Sequence, residues 1–497
     1  MAVNIYIDAF GGNYVGAVAD GNKLLEYRIE KRSNSVTVGS VYKGRVVKVL
    51  PGMEACFVDI GLEKNGYLSL AEPLATRSEF EGKATTPTPE LKEGDEIMVQ
   101  ALKDPTSSKG VRLSLQISFA GRFVVVSPNT DFVGVSRKIT DEKQRERLLK
   151  LASKVKKDGF GLILRTSASD ATPVEVKKEV GRLVKQFEIA CKLYKENTAP
   201  YCVHEEGNLV YRFIRDVYGQ SVDKVVVSDE EIYEKIKDYA KKADRDLKKK
   251  LVLFDKGVDM FGYYGLSHSI DSILDGKVYL ESGAYIVIDK TEALTVIDVN
   301  TGGFIGGESR EDTVFSTNIL ASEEIARQLR LRNISGIIVV DFIDMEEEEH
   351  RKMLLEHFKE ALSKDRERCN LVGMTGLGLV ELTRKKRRKE SVSMMQKPCP
   401  YCQGTGQIHS NDYTVMKIRT ALLDLFADGY KNATIDLNVE IADYILSKKV
   451  LKKDVEKIYA GKRIYIIPHK TYHQHFFLVK GDDSDAMDIP DKAVLLY

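Results

Sequence analysis

Two apolar runs that each close on an aspartate carry the most explicit chemistry in this chain. Ala293-Leu294-Thr295-Val296-Ile297-Asp298 leads into Val299-Asn300-Thr301-Gly302-Gly303, and Gly336-Ile337-Ile338-Val339-Val340-Asp341 leads into Phe342-Ile343-Asp344-Met345. Runs so rich in β-branched and aliphatic residues suit strands buried on both faces. A helical stretch from roughly 319 to 333 lies between them. Strand, helix, strand is the pattern of a crossover that leaves its two strands parallel. If the strands are neighbours, Asp298 and Asp341 leave the sheet on the same edge. Two carboxylates with the Asn300 amide nearby offer oxygen donors to a hard cation. Magnesium, which keeps several waters and binds phosphate oxygens, is the natural occupant, and the chemistry it points to is phosphoryl transfer. The same residues have plainer uses. Asp344 can N-cap a helix opening at Glu346-Glu347-Glu348-Glu349, and Asp298 with Asn300 can form an Asx-turn ahead of the two glycines.

Two further constellations are chemically suggestive. Pro398-Cys399-Pro400-Tyr401-Cys402-Gln403-Gly404-Thr405-Gly406 has the form of a zinc knuckle, with glycines placed to turn backbone amides toward the sulfurs. A structural zinc takes four ligands, and the chain has no second Cys-x-x-Cys. Cys369 or His409 can complete a site within the chain, or two chains can each contribute two thiolates. Arg165-Thr166-Ser167 follows the strand-like Gly161-Leu162-Ile163-Leu164, and Arg137 follows Phe132-Val133-Gly134-Val135-Ser136. Arginine and hydroxyl at strand ends can grip a phosphate; they can equally be ordinary surface residues.

Positioning these groups takes several domains. The chain has 497 residues, 43% hydrophobic and 30% charged, room for about three to five domains. Its apolar runs are too short for a membrane span, and the start at Met1-Ala2-Val3-Asn4 shows no signal peptide, so the expected location is the cytoplasm. Six cysteines make no disulfide framework in a chain this long. A net charge of +1 means that nucleic-acid binding must come from local patches. Residues 36–118 read as five short strands, at 40–49, 55–60, 66–70, 95–101 and 111–115, with Leu50-Pro51-Gly52-Met53 as a hairpin turn. That count fits an OB-fold barrel. Phe57 and Tyr67 fall on adjacent strands among Lys43, Arg45 and Lys109, an arrangement for stacking single-stranded nucleic acid; barrel core is their plainer reading. Ala84-Thr85-Thr86-Pro87-Thr88-Pro89 reads as a mobile loop, not a domain boundary. Charged helices are expected over 229–250 and 346–364, and the densest basic run is Arg384-Lys385-Lys386-Arg387-Arg388-Lys389, a solvated face or an RNA contact.

Taken in order along the chain, these motifs resemble the bacterial ribonuclease E/G family. The marks are Leu50-Pro51-Gly52-Met53-Glu54-Ala55-Cys56-Phe57-Val58-Asp59-Ile60-Gly61, Gly161-Leu162-Ile163-Leu164-Arg165-Thr166 and Asp298-Val299-Asn300-Thr301-Gly302, then Glu324-Ile325-Ala326-Arg327-Gln328-Leu329-Arg330-Leu331-Arg332, Asp341-Phe342-Ile343-Asp344-Met345 and the Cys399 knuckle. The length is like that of the family's G type, without the long tail of its E type. Departures are glycine at Gly303 where alanine is expected, and the Thr/Pro loop.

The resemblance implies a magnesium-dependent endoribonuclease that cuts single-stranded RNA, prefers 5′-monophosphorylated ends, and acts in rRNA processing and mRNA decay. It implies a multidomain α/β architecture: an RNase H-like domain split over 1–35 and 211–274, an inserted OB-fold at 36–118, a 5′-end sensor region at 119–210, a DNase I-like catalytic domain at 275–398, a zinc link at 399–411 and a small C-terminal α/β domain at 412–497. By resemblance, Asp298 and Asp341 hold magnesium and Asn300 supports them. Arg137, Arg165 and Thr166 form the 5′-monophosphate pocket, Phe57, Tyr67 and Lys109 contact RNA, and Arg368 lies near the active site. Cys399 and Cys402 share one zinc between two chains of a homodimer, which dimers can pair further. No histidine or lysine stands out as a general base. The rivals are a non-catalytic RNA-binding protein of the translation or chaperone type, which the barrel and basic run alone would support, and a metal-dependent DNA nuclease.

Overall fold

The computed structural model describes residues 3–31, 38–70, 90–103, 110–139, 141–207, 209–218, 222–243, 245–303, 309–386, 390–484 and 489–496. Lys109, the Thr/Pro loop and residues 387–389 of the basic run lie outside them. The chain divides into two compact units, Met1–Gln396 and Lys397–Tyr497.

In the first unit, Val3–Phe10, Asn13–Asp20 and Lys23–Lys31 form an antiparallel meander. Val222–Val227 and Leu251–Leu253 add to it in parallel on the far side of Val3–Phe10. The chain therefore leaves this sheet after residue 31 and returns to it at residue 222. The first excursion is a closed barrel of Val41–Leu50, Ala55–Asp59, Gly66–Ser69, Glu96–Lys103 and Arg112–Ser114. Its closure comes from the pairing of the first strand with the fourth, and its third and fifth strands run parallel. Period-two patterning sends Val46, Cys56, Val58, Leu68, Val99, Ala101 and Leu113 into the barrel core, as expected for the OB-like reading. The second excursion is a four-stranded sheet ordered Val133–Val135, Phe160–Leu164, Val124–Pro128, Phe119–Ala120. Helices Glu142–Val155 and Pro173–Glu196 pack on it, the latter opened by a capping box of Thr172 and Glu175.

The two aspartate runs lie side by side in a six-stranded sheet. Its order is Lys277–Tyr279, Tyr285–Lys290, Leu294–Asn300, Gly336–Asp341, Leu379–Arg384, Cys369–Met374. Leu294–Asn300 and Gly336–Asp341 are parallel, joined by a crossover helix as the pattern required. That helix is longer than its apolar periodicity suggests, running from Arg310 to Arg332 with Ser309 as N-cap. Its first turns bury Thr313, Thr317, Asn318 and Ser322 alongside Val314 and Ala321, which thins the apolar pattern. Asn318 donates to the Ile343 carbonyl at 2.8 Å and accepts from the Ile343 amide at 3.1 Å, so the buried polar face ties the helix to the segment that follows Asp341.

The strands are not buried on both faces. Ile286, Ile297, Val299, Ile338, Val340, Val380 and Leu382 join the core under helices Arg310–Arg332 and Glu348–Ser363. On the other face Ile337 is 52% exposed, and Asp298 and Asp341 are exposed. A strand that carries a carboxylate on this face cannot be covered there without stranding charge in an apolar layer. The following helix begins at Glu348 rather than Glu346, because the Glu346 and Glu347 amides both donate to the Glu311 carboxylate at 3.2 Å.

The second unit is a four-stranded sheet of Asn432–Asn438, Arg463–His469, Phe477–Asp482 and Val494–Leu495. Helices Asn411–Ala427 and Val439–Lys448 close its core around Ile418, Leu422, Ile435, Ile441, Ile445 and Ile466.

Candidate active site

Asp298 and Asp341 are partners in the parallel register, so both carboxylates rise from one face at adjacent strands, about 4.8 Å apart at the backbone. The strand does not end at Asp298 but continues to Asn300, which removes the Asx-turn reading. Asn300 lies two residues on, hence on the same face, and its Nδ2 donates to Asp298 Oδ2 at 2.7 Å. Beyond it, Gly302 has φ +60, and a Cβ there would stand 2.3 Å from the Gly283 carbonyl oxygen, so this turn requires glycine. Gly303, with φ +90, is also left-handed, which accounts for glycine where alanine was expected.

Partial burial, then the negative charges of Asp298 and Asp344, push the Asp341 carboxyl above its ordinary range. Asp344 thus belongs to the electrostatics of this site and does not cap the next helix, whose N-cap is Glu347. The sequence signal for it was its spacing, three residues beyond Asp341. Among the described residues no group of three or more His, Cys, Asp or Glu side chains is assembled to hold a metal. Magnesium does not need one: it keeps waters and is held through one or two carboxylates plus substrate phosphates. A facing pair of exposed carboxylates, one of them pushed toward its neutral form by partial burial and then by like charge, fits such a cation, which would relieve the repulsion.

The phosphate-pocket candidates also converge. Val133–Val135 and Phe160–Leu164 are parallel neighbours, and their ends bring Ser136 Oγ within 3.3 Å of Thr166 Oγ1, with exposed Arg137 next in the chain. Arg165 is already engaged: it donates to the Gly121 carbonyl at 2.6 Å and to Asp216 at 2.9 Å. Burial alone would raise the Asp216 pKa, but the Arg215 and Arg165 charges outweigh it and hold the carboxyl far below the usual carboxylate range. Two of the five guanidinium N–H donors are therefore spent on orientation, leaving three for a ligand. The exposed Arg368 is not beside the carboxylates. It precedes Cys369, which lies at the Gly336 end of the sheet, roughly 17 Å along the strands from Asp341. Its loop faces the pocket region instead: Lys138 donates to the Asp365 carbonyl, and Arg366 lies within electrostatic reach of Arg165 and Asp216.

On the barrel, Phe57 and Tyr67 are register partners, half-buried, with ring centroids 6.2 Å apart. Their neighbours Cys56, Val58 and Leu68 fill the core, so these rings lie on the outer surface. Exposed Lys48 is opposite Phe57, and Arg112 is opposite Tyr67. Lys43 does not join them: it is 8% exposed, pairs with Glu96 at 2.7 Å and lies over the Tyr194 ring.

In the second unit the Gly406 amide donates to Cys402 Sγ at 3.3 Å. That contact, then the Gly404 amide and Cys399, hold the Cys402 thiol below its ordinary pKa, which prepares it as a thiolate ligand. His409 packs on Tyr413 and His475. Cys369 is a half-buried thiol held beside Asp365 and pushed up to about 12, chiefly by desolvation, the opposite of a zinc ligand's environment.

A barrel with paired surface rings and a sheet with facing carboxylates define the class of nucleic-acid-processing proteins. Within that class, the model of the ribonuclease E/G family matches residues 118–387. Ribonuclease G of Haemophilus influenzae is 34% identical over 474 residues, covering 93% of this chain and 96% of that protein. Ribonuclease G of Escherichia coli K12 is 33% identical over 468 residues with the same coverage, and its ribonuclease E is 31% identical over 484 residues, covering 95% of this chain and 45% of that protein. The chain belongs to the ribonuclease E/G family.

Proposed function

We propose that this endoribonuclease of RNA processing and decay cleaves single-stranded RNA at the face carrying Asp298 and Asp341, using magnesium. The observation that carries the reading is the register pairing of those two aspartates on an open sheet face. Asp298 and Asp341 would hold the cation, and Asn300 fixes the Asp298 carboxylate by its 2.7 Å hydrogen bond. Bound magnesium would supply Lewis acidity and charge neutralisation at the scissile phosphate. The segment after Asp341 is held by Asn318 and Glu311, so the carboxylate pair is preorganised on rigid elements.

Phe57 and Tyr67 would stack bases on the barrel. Arg165, Thr166 and Arg137, with Arg368 joining them from the 365–368 loop, would take a 5′-monophosphate, giving rRNA processing and mRNA decay a preference for such ends. Cys399 and Cys402 would supply half of a zinc site shared with a second chain in a homodimer, itself able to pair into a dimer of dimers. The domain reading goes with this: a split RNase H-like sheet, supported by the central Val3–Phe10 strand with its parallel late partners, a DNase I-like catalytic sheet, a zinc link and a small C-terminal domain. Among the described residues no helix is long and apolar enough to cross a membrane; the location we propose is the cytoplasm.

The test is direct. Purified protein is incubated with labelled single-stranded RNA or DNA, with magnesium or with chelator. Cleavage of RNA alone, and only with magnesium, is expected. Cleavage of DNA at a comparable rate, or undiminished cleavage in chelator, would overturn the reading.

A further inference from the structure

The open face that carries the carboxylates continues onto two strands that no part of the function above uses. Across the sheet, Tyr279 is paired with Tyr285 and Tyr285 with Asn300. Two residues along, Lys277 is paired with Val287, Val287 with Asp298 and Asp298 with Asp341. Directly paired residues share a face, so Lys277, Tyr279 and Tyr285 stand on the same surface as Asp298, Asn300 and Asp341. The intervening Val278 and Ile286 point the other way, into the core.

The two tyrosines are not core residues displaced outward. Tyr279 is 67% exposed. The rings lie 5.9 Å apart with their planes inclined at 57°, and the Lys277 ammonium lies 3.5 Å from the Tyr285 centroid and 4.9 Å from that of Tyr279. Tyr285 also flanks the Gly302 turn: a Cβ at Gly302 would meet its ring at 3.2 Å. An aromatic pair with a cation between the rings is what a single strand needs from a surface, a π-face for a base and a positive charge for the phosphate that follows it. With strands about 4.8 Å apart, Tyr279 sits two strands from Asn300, roughly 10 Å, a span of one or two nucleotides.

We propose that Tyr279, Tyr285 and Lys277 form an RNA subsite in which a base flanking the scissile phosphate stacks on the tyrosines and Lys277 meets the adjacent phosphate. The subsite rests on the reading of Asp298 and Asp341 as the cleavage centre for its role, but not for its existence as an RNA contact. It makes the sheet itself part of the substrate-binding surface, separate from the barrel, and it selects for unpaired RNA, because a base must leave its helix to stack there.

The test measures affinity for a short single-stranded RNA in chelator, where nothing is cleaved, alongside cleavage in magnesium. Tyr279→Leu and Tyr285→Leu should each weaken binding about tenfold, and the Phe variants, which keep the ring, should restore it. The loss should vanish when the RNA carries abasic sites flanking the cleavage position. Lys277→Gln should lower the slope of log affinity against log salt by about 0.7. Tyr279→Leu is the decisive variant, since so exposed a side chain can be truncated without disturbing the fold. Unchanged affinity in both leucine variants, or an equal loss on abasic RNA, sinks the subsite. If instead the leucine variants bind weakly while Asp341→Asn cleaves at the parent rate, the subsite stands as an RNA contact and the carboxylate reading falls.

Discussion

Asp298 and Asp341 face each other in register across two parallel strands, so the sheet holds two like charges one strand spacing apart. Only one side-chain hydrogen bond, from Asn300 to Asp298, offsets that repulsion among the described residues. That exposed, unneutralised pair is the observation on which the proposed magnesium site rests.

Removing either carboxylate should therefore stop catalysis before it stops binding. Asp298→Asn and Asp341→Asn are each expected to lower RNA cleavage far more than tenfold while affinity measured in chelator stays near that of the parent. A variant retaining a tenth of the parent rate would have lost only about 1.4 kcal/mol of transition-state stabilisation, too little for a residue that holds the metal.

The same pair sets a pH dependence. The folded-state pKa of Asp341 is raised, by burial first and then by Asp298 and Asp344. Such a group contributes stability below its unfolded-state pKa and loses it as pH rises through the folded value. Metal-free protein should therefore gain thermal stability from Asp341→Asn at neutral pH, and progressively less as the buffer is made acidic enough to protonate Asp341. Melting curves in chelator across that range decide it; a gain that grows on acidification contradicts the sign.

At the other end of the molecule's chemistry, Arg165→Ala should slow cleavage of 5′-monophosphorylated RNA by roughly ten- to a hundredfold, the loss of a charge-assisted contact, and leave 5′-hydroxyl RNA at its parent rate. The pairing with Asp216 at 2.9 Å does not compete with this role, because Asp216 keeps Arg215 at 3.0 Å. An unchanged ratio of the two rates would make Arg165 a purely structural residue.

Zinc analysis of the purified protein should find half a zinc per chain, and Cys399→Ser with Cys402→Ser should remove it and weaken the dimer in light scattering. Structural zinc can contribute on the order of 10 kcal/mol, so the shift should be large. One zinc per chain would point to a complete intrachain site instead.

On the barrel, Phe57→Ala and Tyr67→Ala should each cost about 1–3 kcal/mol of RNA affinity with little change in melting temperature. The rings lie outside the core formed by Cys56, Val58 and Leu68. Equal losses of stability and affinity would mean that they are packing residues.

Much of this was legible in the residues themselves. Apolar runs closing on Asp298 and Asp341, with a helix between, contain a parallel pair, because crossover length and side-chain period leave few other arrangements. The five barrel strands were legible for the same local reason, alternation with period two. What stayed hidden depends on which residues meet across the fold. Burial of Thr313, Thr317 and Asn318 in the crossover helix masks its first turns: the threonine hydroxyls donate to carbonyls one turn back and Asn318 to Ile343, so polar residues stand where a core stripe is expected. Lys43 looked like a surface cation until Glu96 and Tyr194 enclosed it, and Arg368, placed near the active site by resemblance alone, precedes a strand whose antiparallel pairing sets it at the opposite end of the sheet from Asp341. Tyr279 and Tyr285 carry no sequence signal at all. Their position beside Asn300 exists only in the cross-strand register, which is set by pairing between segments and not by any spacing along one of them.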